Sequence, residues 1–271
     1  METIESRLSK RLDRPEILQY VFHPRRDTSA TLPDGVLERF ISVDSGVQVG
    51  VRGRLLGPDA HTILFFHGNG EIGSDYDDTG PLFNANGFNF LVADYRGYGK
   101  SGGNPALGSM IEDAHSLYAQ IGSLFSLGEN SKLVLMGRSL GSVPALELAA
   151  AHNDSVAALI LDSAFANTYG LLERIGVPVS MLGVKEDDLS INVKNIEKVT
   201  KPTLIIHGHY DRLIPMEDAE TLMSYSGAGK KQLVMIPGAG HNDIFAVCGE
   251  AYFGMIRDFV IGARRRRLRE K

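Results

Sequence analysis

The sequence has a single cysteine and no long apolar run, and each of these features excludes a class of protein. Cys248 has no second cysteine to pair with, so an internal disulfide framework is excluded and a reducing compartment is indicated. No uninterrupted apolar run approaches the roughly 20 residues that span a bilayer. Residues 1–16 are charged throughout and contain Pro15, so they lack the apolar core of a signal peptide. Together these absences predict a cytoplasmic protein without stable membrane insertion.

An excess of basic residues is also missing. The chain has 28 lysines and arginines against 33 aspartates and glutamates, for a net charge of −5. Nucleic-acid-binding domains normally carry a basic excess, so no nucleic-acid partner is expected. The one concentrated basic stretch is the tail at residues 264–271. It suits either an anionic lipid or a solvated helix end, and we favour the helix end because one short basic cluster without a lipid anchor binds membranes weakly.

Short apolar runs alternate with longer segments of helical spacing along most of the chain. Residues 47–56 alternate between apolar and polar side chains, as an early strand does. The later runs are continuously apolar, which suits strands buried on both faces of a mainly parallel sheet. This alternation predicts an α/β fold with a mostly parallel central sheet and helices on both faces. The continuous runs are residues 62–66, 89–93, 132–136, 157–161, 203–206 and 232–236, and the helical segments are residues 107–125, 140–151, 216–224 and 243–261.

The predicted organisation is one large domain with a small insertion, which 271 residues suffice to fill. Residues 1–46 are expected to form an N-terminal extension packed on the core, residues 47–263 the α/β domain and residues 264–271 the basic tail. Residues 164–200 interrupt the alternation, and their apolar side chains predict a short lid. Because an open α/β sheet places its site beyond the carboxyl ends of the strands, the residues after each apolar run are the candidates for chemistry.

A G-x-S-x-G motif, Gly137 to Gly141, stands between an expected strand and an expected helix. This setting predicts a sharp strand-to-helix turn that strains the backbone of Ser139 and leaves no room for side chains two residues to either side. The following helix N-terminus favours negative charge developing beside the serine. A glycine-rich turn with an incidental serine is the alternative, and the strand–turn–helix context argues against it. Ser139 is therefore the predicted nucleophile.

A serine hydroxyl needs a base and an orienting acid, which in this chain order follow the nucleophile. Only His241, of eight histidines, lies beyond the last predicted strand, on a glycine-flanked loop. Two aspartates compete as the acid: Asp162 ends one apolar run, and Asp211 lies on the loop after the penultimate strand. We predict Asp211 as the acid and expect Asp162 to cap the following helix.

An acyl-transfer site also needs two backbone N–H donors for the oxyanion. One is expected from Leu140, directly after the nucleophile. The other is expected from Asn69 in the His67-Gly68-Asn69-Gly70 stretch that follows the 62–66 run, because Gly68 lets that amide approach the site. A simple turn is the alternative role for Asn69.

These motifs occur together in the order typical of the alpha/beta-hydrolase superfamily, which the chain resembles over about residues 47–259. The stretch from Asp94 to Ser101 fits the same pattern. Within the superfamily the chain resembles the small-lidded branch of alpha/beta-hydrolase-domain proteins that includes protein depalmitoylases, from which it departs in lacking an N-terminal cysteine cluster. The resemblance implies a serine esterase or thioesterase that needs no cofactor and acts on a small-molecule acyl ester or thioester. The modest lid predicts short to medium acyl chains. A serine aminopeptidase or amidase, or a non-catalytic binding protein on this fold, is the alternative function.

Three other motifs compete with this interpretation. Gly68 to Gly73 satisfies the dinucleotide-binding pattern, but the residues that follow are too polar and broken for the required helix. Gly99-Lys100-Ser101 ends like a P-loop, but Asp94 stands where the first glycine belongs. A metal cluster at His207, His209 and Asp211 lacks further ligands nearby. We therefore predict neither a cofactor nor a metal site.

Overall fold

The computed structural model describes residues 12–184 and 191–262. The predicted basic tail at residues 264–271 lies outside the described residues, as do residues 1–11 of the expected extension and residues 185–190 of the expected lid. No helix within the described ranges combines the length and the apolar character that crossing a bilayer requires.

A central sheet of eight strands organises the described residues. The strands are β1 Leu37–Asp44, β2 Val47–Arg54, β3 His61–Phe66, β4 Phe88–Ala93, β5 Leu133–Arg138, β6 Val156–Asp162, β7 Thr203–Gly208 and β8 Lys231–Ile236. Their order is β1-β2-β4-β3-β5-β6-β7-β8. Strand β2 runs antiparallel to β1 and β4, and the remaining neighbours are parallel. The predicted α/β class with a mostly parallel sheet is confirmed.

Strand β1 was not predicted, and it extends the sheet to residues before the expected domain start at Val47. It pairs with β2 through a tight turn, with Ile41 opposite Val49, and Gly46 takes a positive φ of 75° in that turn. The strand shows little hydrophobic alternation because Ile41 is its only fully buried side chain. A half-solvated edge strand of this kind lacks the apolar pattern that revealed the others.

The central strands bury both faces, which explains their continuous apolar runs. Neighbouring residues on one strand, such as Leu64 and Ile63, join separate apolar clusters on opposite sides of the sheet. The helices are α1 Pro15–Val21, α2 Gly80–Ala85, α3 Leu107–Leu124, α4 Ser142–Ala151, α5 Thr168–Arg174, α6 Ile191–Ile196, α7 Met216–Tyr225, α8 Ile244–Cys248 and α9 Ala251–Val260. The predicted helix at residues 243–261 is two helices, because Gly249 takes a positive φ of 55° between them.

Helix α3 shows how the N-terminal segment attaches to the core. The Asp13 carboxylate accepts hydrogen bonds from the Leu107 and Gly108 amides, at 2.7 and 3.0 Å. A carboxylate at a helix N-terminus satisfies free N–H groups and complements the helix dipole. Asp13 therefore anchors the segment before α1 to the start of α3.

The start of the lid region (residues 164–200) is attached to α7. The Asp218 carboxylate accepts hydrogen bonds from the Ala166 and Asn167 amides, at 2.7 and 2.6 Å. The Asn167 side chain then caps α5 by accepting from the Gly170 amide at 2.7 Å. These bonds fix where α5 begins, and with it the apolar side chains that α5 carries.

Candidate active site

Ser139 lies at the sharp turn between β5 and α4, with a positive φ of 50°. Both flanking glycines are needed there. A Cβ at Gly137 would lie 2.3 Å from the Gly141 carbonyl oxygen, and one at Gly141 would lie 2.0 Å from the Phe66 carbonyl oxygen. The turn therefore strains the serine backbone and requires glycine two residues to either side, as the motif indicated.

The structure brings Ser139, His241 and Asp211 together at the carboxyl ends of β5, β8 and β7. The His241 Nε2 atom lies 3.1 Å from the Ser139 Oγ atom, and His241 Nδ1 lies 2.7 Å from Asp211 Oδ2. Since a carboxylate only accepts, His241 Nδ1 carries the proton in that bond, and in the neutral ring Nε2 is left free to accept from the serine hydroxyl.

The Asp211 carboxylate is fully buried but well supplied with hydrogen-bond donors. Its second oxygen accepts from the Leu213 and Ile214 amides, at 2.9 and 2.8 Å. Burial alone raises the pKa of Asp211, but the hydrogen bonds from His241 and Ile214 and the nearby imidazoles outweigh it, so the pKa lies below its usual value. The carboxyl group is thus ionised at neutral pH.

His207 supports the same loop, as expected of a strand-end histidine with a structural role. Its Nε2 atom donates to the Ile214 carbonyl at 2.8 Å and lies 3.6 Å from Asp211 Oδ2. It thereby fixes the turn that carries the acid.

Asn69 and Leu140, the expected oxyanion donors, line the same cavity as Ser139. The Asn69 side chain is held through its Oδ1 atom, which accepts from the His23 amide at 2.9 Å and from the Tyr98 hydroxyl at 2.7 Å. Those bonds fix the loop that carries the Asn69 backbone N–H, the expected oxyanion donor.

The cavity beside Ser139 has a volume of about 100 Å³ and an apolar lining. Among the described residues that line it, none carries an ionisable side chain. The lining comes from the core, the lid region and, unexpectedly, the N-terminal segment. Its apolar members are Leu12, Val21, Leu107, Leu140, Val143, Phe165, Leu171, Leu172, Ile175, Ile191 and Leu213.

Comparison with known proteins identifies the family to which this chain belongs. Residues 57–179 match the family model described as serine aminopeptidase, S33. The uncharacterized protein YfhR of Escherichia coli is 32% identical over 206 residues, which are 74% of this chain and 70% of YfhR. The chain belongs to the alpha/beta-hydrolase superfamily. The family resemblance predicted from the motifs is confirmed, and the protein is a hydrolase of this fold.

Two further relatives, one from Schizosaccharomyces pombe and one from human, are similar to this chain. Protein bem46 of Schizosaccharomyces pombe is 28% identical to the hydrolase over 73% of this chain and 67% of bem46. Human alpha/beta hydrolase domain-containing protein 17B is 31% identical over 68% of this chain and 61% of that protein. The chain thus spans between 61% and 70% of the lengths of these three relatives.

Solved structures show the same fold at lower identity. The Pyrococcus furiosus esterase Pf2001 matches the hydrolase with a TM-score of 0.72 at 19% identity, over 88% of this chain and 98% of the esterase. Est1E from Butyrivibrio proteoclasticus with bound ferulic acid matches with a TM-score of 0.67 at 20% identity, over 82% and 99%. These similarities confirm the predicted alpha/beta-hydrolase fold.

The competing aspartate, Asp162, makes a different set of contacts in the hydrolase. Its carboxylate accepts from the Tyr252 hydroxyl at 2.5 Å and from the Ser163 hydroxyl at 3.1 Å. It does not cap the lid helix, because Asn167 and Asp218 perform that task. The expected capping role was therefore wrong: Asp162 binds α9 to the end of β6.

The dinucleotide-binding pattern is also explained structurally. Residues Gly73–Tyr76 form a single 3₁₀ turn rather than a long helix. Asp94, which would bind a ribose, instead accepts a hydrogen bond from the Gly73 amide at 2.9 Å. These glycines shape a loop of the hydrolase and do not form a phosphate cradle followed by a helix.

Proposed function

We propose that this hydrolase cleaves carboxylic ester or thioester bonds of short to medium acyl substrates through a covalent acyl-enzyme. The observation that carries the proposal is the continuous chain of hydrogen bonds from Ser139 through His241 to Asp211 beside an apolar cavity. A nucleophile hydrogen-bonded to a base, which is in turn oriented by a third group, is the arrangement that nucleophilic catalysis requires.

In this mechanism His241 Nε2 removes the hydroxyl proton as Ser139 Oγ attacks the acyl carbonyl carbon. Asp211, ionised and bonded to Nδ1, stabilises the imidazolium that forms. Backbone N–H groups of Leu140 and Asn69 stabilise the tetrahedral oxyanion. His241 then protonates the leaving alcohol or thiol. A water molecule, deprotonated by His241, attacks the acyl-enzyme, and His241 returns that proton to Ser139 Oγ as the bond to the acyl carbon breaks and the carboxylic acid leaves.

The lining of the cavity favours an acyl chain over the free N-terminus of a peptide. Binding a free α-amino group calls for a carboxylate close to the reacting serine, because a desolvated ammonium ion needs a charged partner. The described residues around this cavity include no such side chain. A serine aminopeptidase or amidase is the second candidate function, favoured by the description of the matching family model.

A substrate panel separates the two candidates. We expect p-nitrophenyl esters and acyl thioesters of about four to eight carbons to give the highest kcat/KM, with a graded decline on either side, because apolar pockets discriminate by only about 1–3 kcal/mol per methylene. Steady-state kinetics on acetate, butyrate, octanoate and palmitate esters, butyryl thioesters and aminoacyl p-nitroanilides measure this profile. Highest activity on aminoacyl anilides would favour the aminopeptidase, and highest activity on palmitate would show that the lid permits long chains.

The lid helix α5 should set the acyl-chain preference through Leu171, a half-buried residue that lines the cavity. We expect Leu171→Ala to enlarge the cavity and raise the octanoate-to-acetate ratio of kcat/KM several-fold. Leu124→Ala, at a half-buried position on α3 outside the cavity lining, is the matched control and should leave the ratio unchanged. Equal ratios in the two variants would mean that α5 does not contact the acyl chain.

A further inference from the structure

One ion pair connects three of the loops that carry the site. Glu71 follows β3 in the loop of residues 67–71, called the Gly68 loop here, and Arg138 directly precedes Ser139. Arg138 also reaches the loop of residues 237–242 after β8, called the His241 loop here. Neither Glu71 nor Arg138 stood out in the sequence, although Arg138 is the first variable residue inside the G-x-S-x-G motif.

On one side, Glu71 fixes the Gly68 loop. Its Oε2 atom accepts a hydrogen bond from the Gly68 amide at 2.7 Å and another from the Tyr76 hydroxyl at 2.6 Å. The Gly68 N–H lies one residue before the Asn69 N–H in the chain. A carboxylate held by two donors sets the direction of the Gly68 peptide and so the position of the Asn69 amide.

On the other side, Arg138 fixes the His241 loop. Its Nη1 atom pairs with Glu71 Oε1, and its Nη2 atom donates to the His241 carbonyl and to the Asn242 side chain, each at 2.9 Å. The planar guanidinium group can face two directions at once, which a lysine ammonium group on a flexible chain does not reproduce. Arg138, which directly precedes Ser139, thereby holds the main chain of His241.

Close packing and opposite charges hold Glu71 and Arg138 together. A Cβ at Gly68 would lie 2.6 Å from Arg138 Nη1, so a larger residue there would require the guanidinium group to shift. The Arg138 side chain is 14% exposed and that of Glu71 24%. Burial lowers the pKa of Arg138, but the charges of Glu71 and Asp162 outweigh it, so the pKa is raised and the group stays a cation.

Arg138 is not among the residues that line the cavity beside Ser139. It lines a separate cavity of about 170 Å³ together with Glu71, Tyr76, Asp162, His241 and Tyr252. A residue outside the acyl cavity has no direct contact with an acyl chain bound there. We therefore expect Arg138 to affect hydrolysis through the groups that it holds, which include the main chain of His241.

We propose that the Glu71–Arg138 ion pair is a positioning element that aligns the Gly68 loop and the His241 loop with Ser139 for the transition state. The inference rests on the proposed function, since it explains how the loops of that site are held in their relative positions. Because a displacement of about 1 Å at a reacting centre can lower turnover on the order of a hundred-fold, we expect loss of the pair to lower kcat by about 10- to 100-fold. The KM for a butyrate ester should change less than about twofold, because neither residue lines the acyl cavity.

The test uses both single and double replacement. Glu71→Gln and Arg138→Met each leave a half-buried charge without its partner, so either protein can lose stability for that reason alone. The double variant Glu71→Gln/Arg138→Met removes both charges, and its thermal midpoint should return toward that of the unaltered protein. Its kcat should stay low, because the links between the loops are still missing. Recovery of kcat together with stability would show that the pair is merely structural and would overturn the inference.

A second ion pair of similar burial is the matched control. Arg96, whose side chain is also 14% exposed, makes two 2.8 Å bonds to Asp113 on α3 and contacts neither the Gly68 loop nor the His241 loop. The double variant Arg96→Met/Asp113→Asn should keep kcat within about twofold while its thermal midpoint shifts. Arg138→Lys should keep the charge yet show the lowered kcat, because the ammonium group cannot bond in both directions.

The rate of covalent labelling of Ser139 by a fluorophosphonate supplies a readout that is independent of the ester chosen. It should fall in parallel with kcat in the Glu71 and Arg138 variants. If the unaltered protein hydrolyses acyl esters and is labelled at Ser139 while the double variant keeps its kcat, the inference alone is wrong. If the unaltered protein does neither, the proposed function fails and the inference fails with it.

Discussion

Replacing Ser139 with alanine is expected to lower kcat for acyl esters on the order of a million-fold while the protein stays folded. The magnitude follows because the three residues act as a unit, so loss of the nucleophile removes nearly all that they contribute together. The fold should tolerate the change, because alanine has the same Cβ at the strained turn and only a hydroxyl is lost. Steady-state hydrolysis of p-nitrophenyl butyrate and labelling by a fluorophosphonate probe, followed by peptide mass spectrometry, measure the outcome.

Ser163 is a close control for Ser139. It too lies directly after a strand with a positive φ of 50° and is fully buried, but its hydroxyl bonds to Asp162 rather than to a histidine. We expect Ser163→Ala to keep labelling at Ser139 and most of the activity. Probe attached to any other serine in the Ser139→Ala protein would contradict the assignment of the nucleophile.

The second large effect is expected at Asp211. The replacement Asp211→Asn preserves the size of the side chain, and its carbonyl oxygen can still accept from the Leu213 and Ile214 amides. The amide nitrogen, however, faces His241 Nδ1 as a donor, which places the ring proton on Nε2 and blocks proton removal from Ser139. The equivalent change in a serine protease lowers turnover about ten-thousand-fold, and we expect a fall in kcat of that order here.

Asp162→Asn tests which of the two aspartates is the acid. The Asp162 carboxylate bonds to Tyr252 and Ser163, so its replacement should lower the thermal midpoint and leave kcat within a few-fold. Both variants should be assayed near neutral pH, with the thermal midpoint measured on the same samples. Full activity in Asp211→Asn together with inactivity in a stable Asp162→Asn would mean that the acid has been assigned to the wrong strand end.

The residues of the candidate site were predictable because their signals are local. Gly137 and Gly141 bracket Ser139 within five positions, and the steric reason for both glycines is visible in the turn itself. His241 and Asp211 follow apolar runs that became β8 and β7, so their places at the sheet edge followed from the order of the strands. The pattern of the central strands was equally informative, since strands buried on both faces are apolar throughout.

What the sequence did not reveal depends on contacts between distant residues. Glu71 and Arg138 are 67 positions apart, and nothing in either local sequence indicates that they pair. Leu12 and Val21 carry no feature that distinguishes a cavity wall from ordinary packing. Strand β1 was missed for a different reason: a solvated edge strand with one fully buried side chain resembles a loop in its composition.

The N-terminal segment has a practical consequence for anyone who shortens the chain. A truncation at Val47, the expected domain start, would delete the edge strand β1 and expose the antiparallel edge of β2. It would also remove Asp13 from the start of α3 and take Leu12 and Val21 out of the wall beside Ser139. The cavity beside Ser139 would then open to water on one side. Such a fragment would be a poor reporter of the proposed chain-length preference, even if it retained Ser139, His241 and Asp211.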